Sequence, residues 1–207
     1  MFLARQAQPV TTPSRQADRS AATRARLLDA AIASLVELGW AGTTTTVVAE
    51  RAGVSRGAQL HHYPTRGDLV LAAVDHLATR RAEEVRREAA ALPSGRDRTY
   101  RVLELLADFS TGPLYVAALE VWVAARTDEV LRTALVPLEA RLGRELHRVT
   151  VELLGADEAV PGVRETVQAT LDLVRGLGVA NLLTDDSARR QRLLRVWAQT
   201  VEGVLHG

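Results

Sequence analysis

The segment ERAGVSRGAQLHHYPTRGDL, residues 50–69, constrains the fold more than any other part of the chain. It interrupts a helical pattern at Gly53 and ends the following short helix at Pro64. Glycine adopts turn conformations that other residues resist, and the residue before a proline avoids helical geometry. Two helices joined by a turn of three or four residues that contains glycine form a helix-turn-helix. We therefore predict short helices from about Thr44 to Arg51 and from about Ser55 to Tyr63.

Helical periodicity also dominates the rest of the chain. From Thr23 to Leu38, apolar residues recur at helical spacing, at Leu28, Ala31, Ile32 and Leu35. Further patterns are separated by PSG at 93–95 and GADEAVPG at 155–162, and no convincing strand alternation appears. Pro137 predicts a break or kink in the helix from about 128 to 154. The predicted fold is all-α, with about nine helices.

Composition limits the possible function classes. The 207 residues include 26 basic side chains, all arginine, and 25 acidic ones, so that the net charge is +1 and any DNA-binding surface must be local. The absence of cysteine excludes disulfides and thiolate metal sites. No apolar run reaches the roughly 18 residues of a membrane span, and the apolar start is too short for a signal peptide. A cytoplasmic protein is the simplest inference.

The pattern divides the chain into three parts. Residues 1–19 are polar, contain two prolines and predict a flexible N-terminal arm. Residues 20–66 predict a three-helix DNA-binding domain around the helix-turn-helix. Residues 67–207 predict a larger domain of longer, more apolar helices, to which the family resemblance described below assigns ligand binding and dimerisation.

The second short helix is too polar to be buried, which suits the major groove of DNA. Arg56, Gln59 and His61 are expected to read bases, while Thr43, Thr44 and Arg66 are expected to hold phosphate. Residues 14–67 contain seven arginines and four carboxylates, which gives a local excess of three positive charges. The predicted DNA-binding residues are Thr43, Thr44, Ser55, Arg56, Gly57, Gln59, His61, His62 and Arg66.

These residues resemble a known family. The run TRARLLDAAIASLVELGWAGTTTTVVAERAGVSRGAQLHHYPTRGDLV is similar to the N-terminal domain of TetR-type transcriptional regulators over about 50 residues. The match includes Gly39 followed by threonines, Ala52-Gly53-Val54-Ser55, and the His62-Tyr63-Pro64 ending. Gln59 stands where that family usually has an apolar residue, and Leu60 stands where it often has a phosphate-contacting tyrosine.

The resemblance implies a homodimer on a palindromic operator. It also implies that the last two helices of each chain form a four-helix interface, and that the larger domain holds a small-molecule pocket. Ligand binding is then expected to move the long helix after Pro64 and to change the spacing of the two DNA-reading helices.

Two residue sets are candidates for the pocket and the interface. The candidate pocket residues are equally well explained as ordinary core. The two glycines among the candidate interface residues are equally well explained by a helix contact within one chain. The candidate pocket residues are Tyr100, Leu103, Phe109, Leu114, Tyr115, Leu119 and Trp122, with Arg141 and Arg175 as polar handles. The candidate interface residues are Gly176, Gly178, Leu194, Trp197, Val201 and Val204.

Other readings fit less well. His61 and His62 point about 100° apart on a helix, which disfavours a shared metal ion. No phosphate loop, Gly-x-Ser-x-Gly or His-Glu-x-x-His motif appears, so we predict no catalytic residue, metal or cofactor. We interpret the chain as a ligand-responsive regulator and expect a repressor, although an activator has the same sequence features. The alternative is a small helical enzyme or ligand-sequestering protein that does not bind DNA.

Overall fold

A computed structural model describes residues 15–92, residue 95 and residues 97–206, and these residues form nine α-helices without a strand. This confirms the all-α prediction. The helices are α1 (Arg15–Gly42), α2 (Thr45–Ala52), α3 (Arg56–His62), α4 (Arg66–Ala90), α5 (Arg98–Phe109), α6 (Pro113–Ala125), α7 (Glu129–Leu154), α8 (Val163–Ala180) and α9 (Ser187–His206).

The first helix differs from its prediction at both ends. It begins at Arg15, so residues 15–19 are helical although the sequence placed them in a flexible arm. Residues 1–14 of that arm lie outside the described residues. Gly39 has φ 64° and ψ −176°, which breaks the helical geometry, and one further turn then runs to Gly42.

Local side chains fix the helix-turn-helix. The Thr44 Oγ1 atom accepts the Val47 N–H at 3.2 Å and so caps α2. Gly53 ends α2 in the left-handed conformation, with φ 63°. The Ser55 Oγ atom accepts the Ala58 N–H at 3.2 Å and caps α3. The predicted turn at Gly53 is confirmed, and α3 begins one residue after its N-cap Ser55.

Pro137 lies inside α7, and the helix continues through it from Glu129 to Leu154. The prediction of a break at this position is therefore wrong. The pyrrolidine ring removes one backbone donor, but the flanking turns and the packing of Leu131 and Leu135 hold the helix on the core.

The buried side chains form two clusters. The first joins α1, α2, the start of α4, α6 and the start of α7; the second joins the end of α4, α5, the end of α7, α8 and α9. Members of the first cluster from these five helices include Leu35, Val48, Leu69, Val121 and Leu131. Each buried aliphatic side chain contributes about 1.5–3 kcal/mol, and in this cluster α6 and α7 pack on α1 and α4, the helices that flank the helix-turn-helix.

Candidate nucleic-acid interface and internal pocket

One face of α3 lies open to solvent. Arg56 and Leu60 are exposed one turn apart, and so are Gly57 and His61. Leu60 exposes 42% of its surface. This face combines a guanidinium, an imidazole and an apolar side chain, which can contact guanine, a base edge and a thymine methyl group respectively.

Gln59 lies on the opposite face of α3, and the prediction that it reads bases is wrong. Its side chain is 0% exposed. The Nε2 atom donates to the Tyr63 carbonyl oxygen at 2.7 Å, while the Oε1 atom has no hydrogen-bond partner among the described residues. Gln59 therefore fills the position where the related family has an apolar residue, and Leu60 faces outward instead.

The two threonines before α2 differ in exposure. Thr43 is 0% exposed, and its hydroxyl donates to the Gly39 carbonyl oxygen at 2.8 Å. The prediction that Thr43 holds phosphate is therefore wrong. Thr44 is exposed at the start of α2, where the N–H groups of the first turn lack partners within the helix. The position of Thr44 remains suitable for a phosphate contact.

Arg66 makes its contacts inside the chain. Its Nη1 atom donates to the Trp40 carbonyl oxygen at 3.2 Å, and its guanidinium carbon lies 3.9 Å from the centre of the Trp40 ring. This guanidinium is stacked and hydrogen-bonded between α1 and α4, and its phosphate contact stays a prediction.

The two adjacent histidines have different surroundings. The His61 side chain is exposed, whereas His62 is half-buried, and their rings meet edge to face at 5.4 Å. Burial lowers the pKa of His62, and the nearby charges of His61 and Arg24 lower it further. A neutral His62 suits the edge of the domain, while His61 lies on the outward face of α3.

Two basic residues of α1 near α3 were not predicted from the sequence. Arg24 and Arg26 are exposed, and Arg24 acts electrostatically on His62 at the end of α3. Arg26 borders the turn, with its Nη1 atom 4.0 Å from where a side chain at Gly53 would begin. Only the local excess of arginine pointed to these residues, since helical periodicity alone does not show that α1 reaches the turn.

An apolar cavity of about 100 Å³ lies between α4, α5, α6, α7 and α8. Of the predicted pocket residues, five line it: Phe109, Leu114, Tyr115, Trp122 and Arg175. Four do not, and these predictions are wrong. Leu103 is fully buried in the second core cluster, and Leu119 lies outside the cavity lining. The Tyr100 hydroxyl donates to Glu104 at 2.6 Å, and Arg141 pairs with Asp75 on α4.

Aromatic groups shape one wall of the cavity. The Tyr115 and Trp122 rings meet edge to face with centroids 6.1 Å apart, and the Tyr115 hydroxyl donates to the Arg175 carbonyl oxygen at 2.6 Å. Burial raises the pKa of Tyr115. The opposite wall was not predicted from the sequence; there α4 and α7 contribute Val74, Val85, Leu142, Leu146 and Val149.

Charged groups at the cavity edge mostly have partners elsewhere. Glu145 pairs with Arg86 and Arg148, and Arg175 Nη1 lies 2.9 Å from the Asp172 carboxylate. Glu139, which also lines the cavity, has no ion-pair partner within 4.0 Å among the described residues. The lining therefore favours a small apolar or amphipathic guest.

The predicted interface stripe on α9 faces its own domain. Leu194 and Val201 are buried, and the half-buried Trp197 donates its Nε1–H to the Thr170 hydroxyl at 2.9 Å. The assignment of these residues and of the partly buried Val204 to a dimer interface is therefore corrected: intrachain packing covers this stripe.

The two glycines of α8 lie in different surroundings. A Cβ atom on Gly178 would overlap the Ser110 carbonyl oxygen, so this glycine allows α8 to approach the turn between α5 and α6. Its assignment to a dimer interface is wrong. Gly176 is exposed, with nothing within 4 Å of such an atom. The outward faces of α8 and α9 carry Val179, Leu193 and Val196, which expose 51%, 37% and 65% of their surfaces.

The described residues contain no single helix long and apolar enough to cross a membrane, and only α5 and α6 taken together, bent by 55°, pass that test of length and composition. Within the same residues, no group of three or more potential metal-binding side chains from His, Cys, Asp and Glu comes together.

Comparisons with known proteins agree with this geometry. The family model for bacterial regulatory proteins of the tetR family matches residues 27–73. The HTH-type transcriptional regulator CymR of Pseudomonas putida is 32% identical over 184 residues, which cover 86% of this chain and 88% of CymR. An uncharacterized HTH-type transcriptional regulator of Mycobacterium tuberculosis is 34% identical over 142 residues, 69% of this chain and 73% of the relative.

Solved structures share the fold at lower identity. A TetR-family member from Streptomyces coelicolor A3 has a TM-score of 0.60 at 24% identity, covering 84% of this chain and 97% of its own. The multidrug binding protein EbrR, complexed with ethidium, has a TM-score of 0.59 at 24% identity, covering 84% of this chain and 98% of its own.

The structure contains a helix-turn-helix followed by a larger helical body. Two relatives named HTH-type transcriptional regulators are more than 30% identical to the chain over most of their length. The chain belongs to the TetR family of bacterial transcriptional regulators and carries that family's DNA-binding helix-turn-helix.

Proposed function

We propose that this chain is a ligand-responsive repressor that binds a palindromic operator as a homodimer and releases it when a small apolar or amphipathic effector enters the cavity. One observation carries the proposal: α4 runs from Arg66, just after α3, to the cavity wall at Val74 and Val85. A displacement of α4 at the cavity therefore reaches the DNA-reading helix through one continuous element.

The exposed face of α3 supports DNA reading. Arg56 and His61 present donors to solvent, and the scaffold behind them is fixed by the buried Val48 and Ala49 of α2. Arg24 and Arg26 add positive charge beside the turn. In this proposal Arg56 contacts base edges, Thr44 and the first turn of α2 contact phosphate, and Ser55 and Gly57 allow close approach of the backbone.

The size of the cavity supports a coupling between effector binding and DNA release. A volume of about 100 Å³ is below the roughly 300–1,000 Å³ of most ligand sites. An effector of usual size is therefore expected to move the surrounding helices apart. It shifts the equilibrium only by its preference for the expanded state over the DNA-bound state. EbrR, which shares the fold, is a multidrug binding protein that has been solved with ethidium, which supports a ligand site in this helical body.

The outward face of α8 and α9 supports a dimer. Val179, Leu193 and Val196 expose 51%, 37% and 65% of their surfaces, and exposed apolar side chains grouped on neighbouring helices mark interaction sites. Two copies joined here present two α3 helices, and an operator then requires half-sites about one helical turn of DNA apart, roughly 34–36 Å.

The test uses DNA that the wild-type protein selects from a random library. Because Arg56 has no partner in the described part of the chain and faces solvent, Arg56→Ala should weaken binding to the selected DNA by about 1–3 kcal/mol. Binding to unselected DNA should fall much less. Fluorescence anisotropy at fixed salt measures both affinities.

Arg144→Ala, an exposed arginine on α7, is the matched control and should change neither affinity appreciably. An equal loss on both DNAs after Arg56→Ala contradicts base reading and indicates a phosphate contact. Failure of the library to yield any preferred sequence favours a ligand-sequestering protein. Transcription in vitro from a promoter carrying the selected sequence separates a repressor from an activator.

A further inference from the structure

Helix α6 has two functional faces. Leu114, Tyr115, Ala118 and Trp122 line the cavity. Glu120 lies two residues from Ala118 and from Trp122, about 160° around the helix from each. It therefore points away from the cavity and toward α1, while Val121 packs in the core shared with α1. The same rigid element borders the cavity and the DNA-binding domain.

Glu120 holds the end of α1 directly. Its Oε2 atom accepts the Trp40 backbone N–H at 2.7 Å, a contact that spans 80 residues of sequence. The N–H is available because Gly39, with φ 64°, takes the chain out of helical geometry immediately before Trp40. Gly39 also makes room, since a Cβ atom there would lie 2.9 Å from Glu120 Oε2.

Trp40 then joins α1 to α4. Its carbonyl oxygen accepts a hydrogen bond from Arg66 Nη1 at 3.2 Å, and the guanidinium carbon lies 3.9 Å from the centre of its ring. Arg66 is the first residue of α4 and follows α3 after only three intervening residues. A carboxylate and a guanidinium therefore hold opposite ends of one residue through charge-assisted hydrogen bonds, which are stronger than neutral ones.

We propose that Glu120 is the positioning residue that transmits the state of the cavity to the DNA-reading helix, through Trp40 and Arg66; this inference rests on the proposed function. When the cavity is filled, α6 shifts. Glu120 then either carries the end of α1 with it or releases the Trp40 N–H. Both outcomes change the position of Arg66. Because Arg66 begins α4, they also move the start of α4 and the neighbouring α3.

The contact itself is tested by amide hydrogen exchange in the full chain. Glu120→Ala removes the acceptor of the Trp40 N–H and should speed exchange at Trp40 by about tenfold or more. Glu120→Gln retains a side-chain oxygen and should restore most of the protection. Glu83→Ala, which removes an exposed carboxylate of α4, should leave exchange at Trp40 unchanged. Unchanged exchange in Glu120→Ala overturns the proposal.

The coupling is tested with a double-mutant cycle that needs no known effector. Gly143 lines the cavity on α7, and nothing lies within 4 Å of the place that a Cβ atom would take, so a larger side chain has room there and Gly143→Leu is expected to occupy part of the cavity. Gly143→Leu should weaken binding to the selected DNA by about fivefold or more. In the Glu120→Ala background the same substitution should have little effect, whereas in the Glu83→Ala background its effect should persist.

The outcomes separate the two claims. If Gly143→Leu leaves DNA affinity unchanged in the wild-type background, the proposed link between cavity and DNA fails. If it weakens binding equally with and without Glu120, the regulator stands but Glu120 is not its coupling residue. Circular dichroism shows whether each variant is folded. Should Gly143→Leu not fold, Ala82→Leu, which enlarges a side chain of α4 that lines the same cavity, takes its place in the cycle.

Discussion

At the scale of single residues, Gln59 places an unpaired buried polar atom in the DNA-reading helix. Its amide is fully buried, with the nitrogen bonded to the Tyr63 carbonyl oxygen and the Oε1 atom unpaired among the described residues. A buried polar atom without a partner costs about 1–3 kcal/mol, whereas a typical hydrogen bond contributes about 1 kcal/mol. The balance favours an apolar side chain of similar shape.

Gln59→Met is therefore expected to raise the free energy of unfolding by about 1 kcal/mol, measured by urea denaturation. Because the side chain does not reach the surface of α3, affinity for the selected DNA should stay within about threefold of wild type. Gln59→Glu serves as the opposite test and should destabilise the fold strongly, since it buries an unpaired charge. Loss of sequence selectivity in Gln59→Met contradicts this assignment.

The same residue shows where inference from the sequence stopped. Polarity placed Gln59 on the outward face, but a short helix follows the register set by its caps and neighbours. Ser55 and Tyr63 fix that register, so position 59 points inward whichever side chain it carries. TetR-type regulators usually have an apolar residue at this position. The resemblance therefore indicated that residue 59 faces inward, whereas the polarity of Gln59 indicated the opposite.

At the scale of helices, the contact between α8 and the turn after α5 sets how closely two elements pack. A Cβ atom at Gly178 would overlap the Ser110 carbonyl group and would lie 2.7 Å from Tyr115 Cε1. Because the Ser110 carbonyl belongs to the backbone, the cost cannot be relieved by a rotamer change. Tyr115 also lines the cavity, so a displacement here reaches the pocket wall.

Gly178→Ala is expected to lower the free energy of unfolding by about 1–3 kcal/mol, since overpacking outweighs the roughly 1 kcal/mol gained in helix propensity. Gly143→Ala is the matched control in α7, where nothing lies within 4 Å, and it should be neutral or stabilising. Thermal unfolding of both variants measures the difference. Equal effects of the two substitutions would contradict a close approach at Gly178.

Helix positions were largely predictable from sequence, and helix faces were less so. Gly53, Ser55 and Pro64 determine local backbone geometry, so the predicted bounds of α2 and α3 agree with the structure to within about one residue. Tyr100 and Leu103 were assigned to the pocket because they are large and come from the same run of consecutive helices as the other candidates. Whether a large side chain fills a core or lines a cavity depends on which helix lies opposite, and the sequence does not contain that information in local form.

At the scale of the whole molecule, the outward face of α8 and α9 is the proposed dimer surface. Val196 exposes 65% of its surface near the middle of α9. Val196→Glu is expected to convert the proposed dimer to monomers, because it places charges at an apolar contact, and to abolish binding to a two-half-site operator while leaving the helical content unchanged. Sedimentation equilibrium, DNA-binding anisotropy and circular dichroism measure these three properties.

Val130→Glu provides the comparison, since Val130 exposes 82% of its surface at the start of α7, away from α8 and α9. It should leave the association state unchanged. A wild-type chain that sediments as a monomer at micromolar concentration would contradict the proposed assembly. The stripe of Leu194 and Val201 predicted from sequence is instead covered within the chain, because periodicity shows that a face is apolar without showing what covers it.

The two opposite faces of α6 restrict which sequence changes the regulator can tolerate in this helix. Replacing Ala118 or Trp122 reshapes the cavity and can retune the range of accepted compounds without disturbing Glu120. Inserting or deleting one residue between Glu120 and Trp122 rotates one face against the other by about 100° and severs the alignment altogether. Relatives of this regulator should therefore vary at the cavity-lining positions of α6 while Glu120 and the length of the segment stay fixed, and insertions should accumulate in the loop at 155–162.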